Sequence, residues 1–377
     1  MPHLTGPLRW HNIVRNYAIV CAIQMPGLNQ PDGPASDHSD PRSPSIKDIA
    51  RLAGVSHSTV SRALQGSSQV SEATSARIRK IAEDAGYRPS AAARSLVVGR
   101  SKTIGVVVTN IADPFVAGVV SGIEDMAEQH GYSVFLANSH AEPQRELRVV
   151  RSFDERRVDG IIVTASRVGA LYVPEMERMR VPVVLLNNQH PSEYAHSVLI
   201  DNPGAGREAT RHLVHLGHRR IAYIGDRNGH QSDTERLAGY RAALEAAGVG
   251  FAPELVVHGD GMPEGGERAM TQLLVLAQPP TAVFCYNDMT ALGAMRMIRA
   301  TGLNVPRDLS VVGFDDLYLS QYLEPPLTTV RQPMRQMGRM AMETLLHIFD
   351  GPYSTHNLRV EGQLIVRGST ATVKGAS

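Results

Sequence analysis

The sequence predicts an all-α segment of three short helices, then a larger region of doubly wound parallel α/β sheets in two lobes. Three observations carry this. Capped, helix-periodic apolar stretches run from Ser45 to Tyr87. From Thr103 to about Val330, short apolar runs alternate with amphipathic stretches, the pattern of βαβ units with both sheet faces covered. The whole α/β region, roughly 270 residues from 102 to 377, is longer than one sheet usually needs, which points to two similar lobes.

The chain has 377 residues, 42% hydrophobic and 20% charged, a composition able to bury sizeable cores. Residues 1–44 lack helical or strand periodicity and end in a Pro-, Ser- and Asp-rich stretch, so they are expected to form a disordered extension. The apolar run Tyr17 to Ile23 is too short for a membrane span and lacks a signal-peptide cleavage pattern. Cys21 and Cys285 are the only cysteines, which excludes a disulfide framework and a thiolate zinc cage. The expectation is a cytoplasmic protein with no membrane partner and no cofactor. The formal net charge of +1 conceals a basic segment: residues 45–100 hold nine Lys or Arg against four Asp or Glu. Such a surplus favours nucleic acid.

Residues 45–88 read as a helix-turn-helix domain. Ser45 is an N-cap with Asp48 three residues on, Ile46, Ile49, Ala50 and Ala53 share one face, and Gly54 stops the helix. The motif needs a small residue where its helices touch, a residue tolerant of a left-handed turn four positions later, and an apolar residue in the second helix. Ala50, Gly54 and Val60 meet these needs. Ser56 caps the second helix, whose Val60, Ala63 and Leu64 face inward. Its polar residues His57, Ser58, Thr59, Ser61 and Arg62 are then the candidates, with Ser56, for contact with the major groove of double-stranded DNA. An ordinary helical hairpin would share the pattern but not the basic surplus. A third helix runs from Ser71 to Gly86 and packs behind the pair. Residues 89–101 form a linker in which Pro89 to Leu96 is helix-prone but too short to stand alone. It reads as a plain linker, or as a hinge helix ordered on DNA with Leu96 as a minor-groove wedge.

In the α/β region, residues 102–377, strands are expected at Ile104–Val108, Ser133–Ala137, Gly160–Thr164, Val183–Leu186, Ile221–Ile224, Ala282–Tyr286 and Leu309–Phe314. Ligands of open α/β sheets bind beyond the carboxyl ends of the strands. Reading those ends selects Thr109, Phe115, Asn138, Thr164, Asn187, Arg236, Asn287 and Asp315 as candidates for hydroxyls and ring edges of a ligand.

Other chemistries fit less well. Gly204-Ala205-Gly206-Arg207-Glu208-Ala209 follows the apolar strand Ser197–Ile200 and precedes Asp226 by about 20 residues, as a dinucleotide fingerprint would. However, Pro203 suits a first helical turn and would put the glycines inside the helix. This is the one string that would support an NAD-dependent enzyme; a solute-binding module without DNA function is the other alternative. His212, His215 and His218 suggest a metal, but Gly217 ends the helix before His218. Asp315 and Asp316 are neighbours whose side chains diverge, unlike a paired acid and base.

The runs IKDIARLAGVSHSTVSRAL, SEATSARIRKIAEDAGYRPSAAARSL, KTIGVVV, ERLAGYRAAL, NDMTALGA, LSVVGFDD and PPLTTVRQP occur in this order. By them the chain resembles the lactose-repressor (LacI/GalR) family of transcription regulators from Ile46 to about Thr370. The resemblance implies a type I periplasmic-binding-protein-like fold for the two lobes and a homodimer that represses from a pseudo-palindromic operator. It implies hinge contacts at Ser90, Ala93 and Leu96, the last between central base pairs. It further implies a small-molecule effector, a sugar or related metabolite, with Arg236 donating to vicinal hydroxyls, Asn287 and Asp315 fixing the ligand, and Phe115 lining the apolar side. Three positions depart from the family pattern: Ser90 stands where asparagine is frequent, Asn187 where aspartate is, and Gly261 where an aromatic ring often stacks on the ligand. Met262 is a flexible substitute for that ring.

Overall fold

The computed structural model describes residues 44–88, 99–166, 178–187, 196–351 and 357–373. The chain divides into two units, separated at Pro89 and Ser90.

The first unit holds α1 (Ile46–Ala53), α2 (His57–Leu64) and α3 (Glu72–Asp84). Ser45 and Asp48 make a reciprocal capping box, which satisfies two amides left without partners at the start of α1. Gly54 ends α1 in the left-handed region, φ 64°. That conformation costs glycine nothing and turns the chain sharply into α2. Ile49, Val60 and Ile78 are fully buried between the three helices, with Ala50, Ala53, Ala63 and Ala82 around them. The Arg77 guanidinium donates to the Ala53 carbonyl at 3.1 Å, tying α3 to the end of α1.

The second unit has two six-stranded sheets. The strands of the first lobe are β1 (Thr103–Val108), β2 (Ser133–Asn138), β3 (Gly160–Thr164), β4 (Val183–Leu186) and β5 (Ser197–Ile200). Those of the second are β6 (Ile221–Asp226), β7 (Val256–Gly259), β8 (Ala282–Cys285), β9 (Ser310–Asp315) and β10 (Thr328–Arg331). The chain then adds one strand to each sheet, β11 (Asn357–Val360) beside β5 and β12 (Gln363–Ile365) beside β10. Sheet orders are β11-β5-β4-β3-β1-β2 and β12-β10-β9-β8-β6-β7, and β10–β12 alone of the strand pairs is antiparallel. Every residue of β3, β4, β5, β6, β8 and β9 is buried, as sheets covered on both faces require.

The seven predicted strands are present, with shifted ends at five of them. Those whose ends match are β3 and β4. The strand expected before the glycine string, Ser197–Ile200, also matches as β5, whereas β7, β10, β11 and β12 fall outside the predicted set.

Helices cover the sheets: α4 (Pro114–Gln129), α5 (Pro143–Glu155), α6 (Asn202–His215), α7 (Gln231–Ala246), α8 (Pro263–Leu274), α9 (Asp288–Ala300) and α10 (Met334–Asp350). The chain crosses between lobes after β5, after β10 and between β11 and β12, since α6 packs on α7 whereas α10 packs on α4. Asp201 and Gln332 stand at the first two crossings. The Asp201 amide donates to the Val360 carbonyl at 2.8 Å, which joins two of the crossings side by side.

The glycine string lies inside α6, with Pro203 in the first turn and Asp201 as the cap that accepts from the Gly204 amide. Its role is close packing. A Cβ on Gly206 would stand 2.6 Å from the Arg236 carbonyl oxygen, and one on Gly239 would overlap the Pro203 carbonyl. These two glycines let the backbones of α6 and α7 touch. Overpacking such a contact costs about 1–3 kcal/mol. Gly239→Ala is therefore expected to lower the unfolding free energy by that amount in a urea titration. Glu245→Ala, an exposed change on the same helix, should stay within about 0.5 kcal/mol of the parent in the same titration.

Candidate DNA-reading helix and effector cavity

The first unit presents the polar start of α2. Ser56 Oγ accepts from the Thr59 amide at 3.1 Å and lies 2.8 Å from both Ser58 Oγ and Thr59 Oγ1. Capping thus orders the first turn and orients its hydroxyls. Ser56, His57, Ser58 and Arg62 are exposed, while Thr59 and Ser61 are half-buried. The buried Val60 and Ala63 hold this face outward. Ser90, Ala93 and Leu96 lie outside the described residues.

The second unit contains a cavity of about 410 Å³ at the carboxyl ends of both sheets. Thr109, Phe115, Thr164, Asn187, Arg236, Asn287 and Asp315 all line it. Asn138 does not, although it ends β2: its Oδ1 accepts from the His140 amide at 2.9 Å and its carbonyl from Arg145, so it shapes its own turn. Phe115 and Arg236 are helical rather than loop residues, placed by the first turn of α4 and the second turn of α7. Asp113 caps α4 by accepting from the Phe115 amide at 2.9 Å.

Arg236 is 3% exposed. Its Nε donates to Asn202 Oδ1 at 3.0 Å and its Nη1 to the Tyr286 carbonyl at 2.6 Å. The guanidinium carbon stands 3.5 Å from the Phe314 ring centre and 4.8 Å from that of Tyr286. Stacking and two hydrogen bonds hold the group in one pose. Part of its donor set is therefore used within the protein, leaving Nη2 as its principal donor for a ligand.

Asn287 is the N-cap of α9: Oδ1 accepts from the Thr290 amide at 2.8 Å, and Nδ2 donates to the Gly261 carbonyl at 3.0 Å. It holds the Gly261–Met262 loop at the cavity wall. His230 pairs through Nδ1 with the Asp226 carboxylate and stacks on Tyr286 at 6.3 Å with 12° between the rings. Burial raises the Asp226 carboxyl, but hydrogen bonding and charge from His230 outweigh it and hold the group below the usual range.

Asp315 ends β9 with φ 115°, followed by Asp316 at φ 55°. This left-handed corner sends the neighbouring carboxylates apart. Asp316 pairs with Arg331 at 2.7 Å and Arg367 at 2.6 Å, whereas Asp315 accepts from Gln332 Nε2 at 2.6 Å and lines the cavity. The fully buried Asp288 holds the corner. Its Oδ2 accepts from the Leu317 amide at 2.8 Å and from Ser320 Oγ at 2.5 Å, and its Oδ1 from Thr329 Oγ1 at 2.5 Å. Burial raises the Asp315 carboxyl well above its ordinary value, against the opposing charge of Arg236.

Asp113, Asp226, His230, Tyr286 and Gln332 were outside the sequence-derived set, yet all line the cavity. An Asp-Pro pair after a strand signals a helix N-cap and would have pointed to Asp113. Gln332 follows a strand of only four residues, too short to single out by pattern. Among the described residues no group of three His, Cys, Asp or Glu is placed to hold a metal, and no helix is long and apolar enough to cross a membrane. His218 instead bonds through Nδ1 with Thr281 Oγ1 and through Nε2 with the Ala371 carbonyl.

Known families and proteins share these features. The family of bacterial regulatory proteins, lacI family, matches residues 45–90, and the periplasmic binding protein-like domain matches residues 210–370. The HTH-type transcriptional repressor CytR of Escherichia coli (strain K12) is 39% identical over 326 residues, covering 86% of this chain and 96% of CytR. The HTH-type transcriptional repressor PurR of Aliivibrio fischeri (strain ATCC 700601 / ES114) is 35% identical, covering 86% and 98%. Among solved structures, the lac repressor dimer bound to operator and the anti-inducer ONPF superposes with a TM-score of 0.81 at 30% identity, covering 88% of this chain and 100% of that one. The complex of the regulator CelR with cellobiose has a TM-score of 0.66 at 36% identity, covering 86% and 99%. With the capped helix pair and the two-lobed cavity, this extent of likeness means that the chain belongs to the lacI family of bacterial regulatory proteins.

Proposed function

We propose that the chain is a transcriptional repressor that binds a pseudo-palindromic operator as a homodimer and responds to a small molecule, a sugar or sugar derivative, held between the lobes of its second unit. The observation that carries this reading is the presence, in one chain, of an exposed polar helix start of the DNA-reading type and a polar cavity at the carboxyl ends of two sheets. The similar proteins support it: CytR and PurR are HTH-type transcriptional repressors, the lac repressor structure is a dimer on operator, and CelR is bound to cellobiose.

In this reading residues 1–44 are an extension, 45–88 the DNA-binding domain, 89–101 the hinge and linker, and 102–377 the effector and dimerisation domain. His57, Ser58 and Arg62 read base edges, Ser56, Thr59 and Ser61 support them at the backbone, and Ser90, Ala93 and Leu96 act at the centre of the site. The effector meets Thr109, Phe115, Thr164, Asn187, Arg236 and Asp315, with Asn287 shaping the wall and Asn138 supporting it from outside. The effector acts by binding one arrangement of the lobes better than another, which changes the population competent for operator. The protein works in the cytoplasm and has no catalytic step.

Arg62→Ala and His57→Ala should each cost about 1–3 kcal/mol of operator discrimination, the range for a base-reading side chain. Fluorescence anisotropy against operator and scrambled duplex checks this; an equal loss on both duplexes would refute the base-reading role. Asp315→Asn should abolish the effector response yet stabilise the free protein. A carboxyl raised by burial weakens the fold once ionised, so the gain is largest above the folded-state pKa. It shrinks as pH falls through the folded-state pKa and vanishes below the ordinary carboxylate range. Melting temperatures of parent and variant across pH test the sign.

A further inference from the structure

The interlobe cavity is short of hydrogen-bond donors. Of its four lining aspartates, Asp226 is answered by His230 and Asn228, and Asp260 by Arg227 and Arg268. Asp113 and Asp315 are answered only in part: one oxygen of Asp113 caps α4, and one of Asp315 accepts from Gln332. Among the described residues Arg236 is the one Lys or Arg in the cavity wall, and two of its nitrogens are already engaged within the protein.

Two neutral acceptors of the wall have no donor. Gln332 is 4% exposed, and its Oε1 is sealed from solvent without a hydrogen-bond partner; Asn187 Oδ1 is in the same position. The amide orientation of Gln332 follows from its neighbour, because the nitrogen is the end that can donate to the Asp315 carboxylate. A buried polar atom left without its partner costs about 1–3 kcal/mol, so a side-chain rearrangement that turns these acceptors onto the donors of a ligand recovers that energy on binding.

A hydroxyl brings one proton and two lone pairs, whereas the exocyclic amine of a base brings two protons and an ammonium three, with no lone pair to offer. The charge balance points the same way. With Asp226 and Asp260 paired, Asp113 and Asp315 share one guanidinium, and an anionic ligand would meet two carboxyl groups for that one cation. Burial raises the carboxyls of both Asp113 and Asp315, and Asp113 itself raises Asp315. A cation received by both would relieve that repulsion.

We infer that the small molecule of this cavity carries an amino group, received by Asp113 of the first lobe together with Asp315 and Gln332 of the second lobe and its crossing, while Arg236 receives hydroxyls. This deepens the effector reading above and rests on it. Phosphorylated and carboxylate ligands are excluded.

The test uses the full chain and calorimetric titration with matched pairs: D-glucosamine against D-glucose, D-galactosamine against D-galactose, adenosine against inosine, and cytidine against uridine, with D-glucose 6-phosphate as the anion. The sugar and nucleoside arms separate an amine on a sugar from one on a base. At least one aminated member should bind about tenfold or more tighter than its partner, the equivalent of one charge-assisted hydrogen bond. Asp113→Asn keeps the helix cap but removes the charge, and should erase most of that preference. Gln332→Leu should do likewise, and Gln332→Glu should retain it; melting curves identify any variant that fails to fold, and the others then decide. Equal or tighter binding by the unaminated members, tighter binding of the phosphate, or binding by no aminated member would overturn the inference. An unaminated compound that binds and shifts operator affinity would sink this inference alone. An aminated compound that binds without changing operator affinity would sink the effector reading instead.

Discussion

The second lobe's share of the cavity depends on a single buried carboxylate. Asp288 accepts three hydrogen bonds from the segment that follows β9 and from β10. Those bonds hold two consecutive non-glycine residues in the left-handed region, where side chains are strained by their own backbone. The corner turns Asp315 toward the cavity and Asp316 toward two arginines. Burial raises the Asp288 carboxyl, and three donors work against that cost. The corner is thus bought by interactions made out of sight of the ligand.

Stability and recognition are located in different places. The central strands of both sheets are apolar and buried, and the close helix contacts rest on glycine. The cavity instead concentrates carboxylates and orphaned acceptors, each a burden on the unliganded fold. Such a wall gains most from the ligand that satisfies it. Specificity follows from the same source, since a mismatched ligand leaves the burden in place.

Much of this architecture was legible in the sequence, for identifiable reasons. The capping box at Ser45 and Asp48 and the left-handed stop at Gly54 act within one turn of chain, so local pattern suffices to find them. The apolar runs of β1, β3 and β4 stand out because both faces of the sheet are covered. Strands β10, β11 and β12 have at most four residues, and their pairing partners lie in other parts of the sequence. Arg236 was legible as a cavity residue, but its internal partners were not: Asn202 and Tyr286 lie 34 and 50 residues away along the chain. Gln332 was missed for the same reason, as its meaning comes from Asp315 across the sheet.

The last two strands run in sequence order from the edge of one sheet to the edge of the other, only two residues separating β11 from β12. Neither lobe is therefore a contiguous piece of the gene. A frameshift or premature stop shortly before codon 357 would strip an outer strand from both halves at once, and no cut of the reading frame yields one intact lobe. Inheritance treats the pair as a single indivisible object, even though each half has its own sheet.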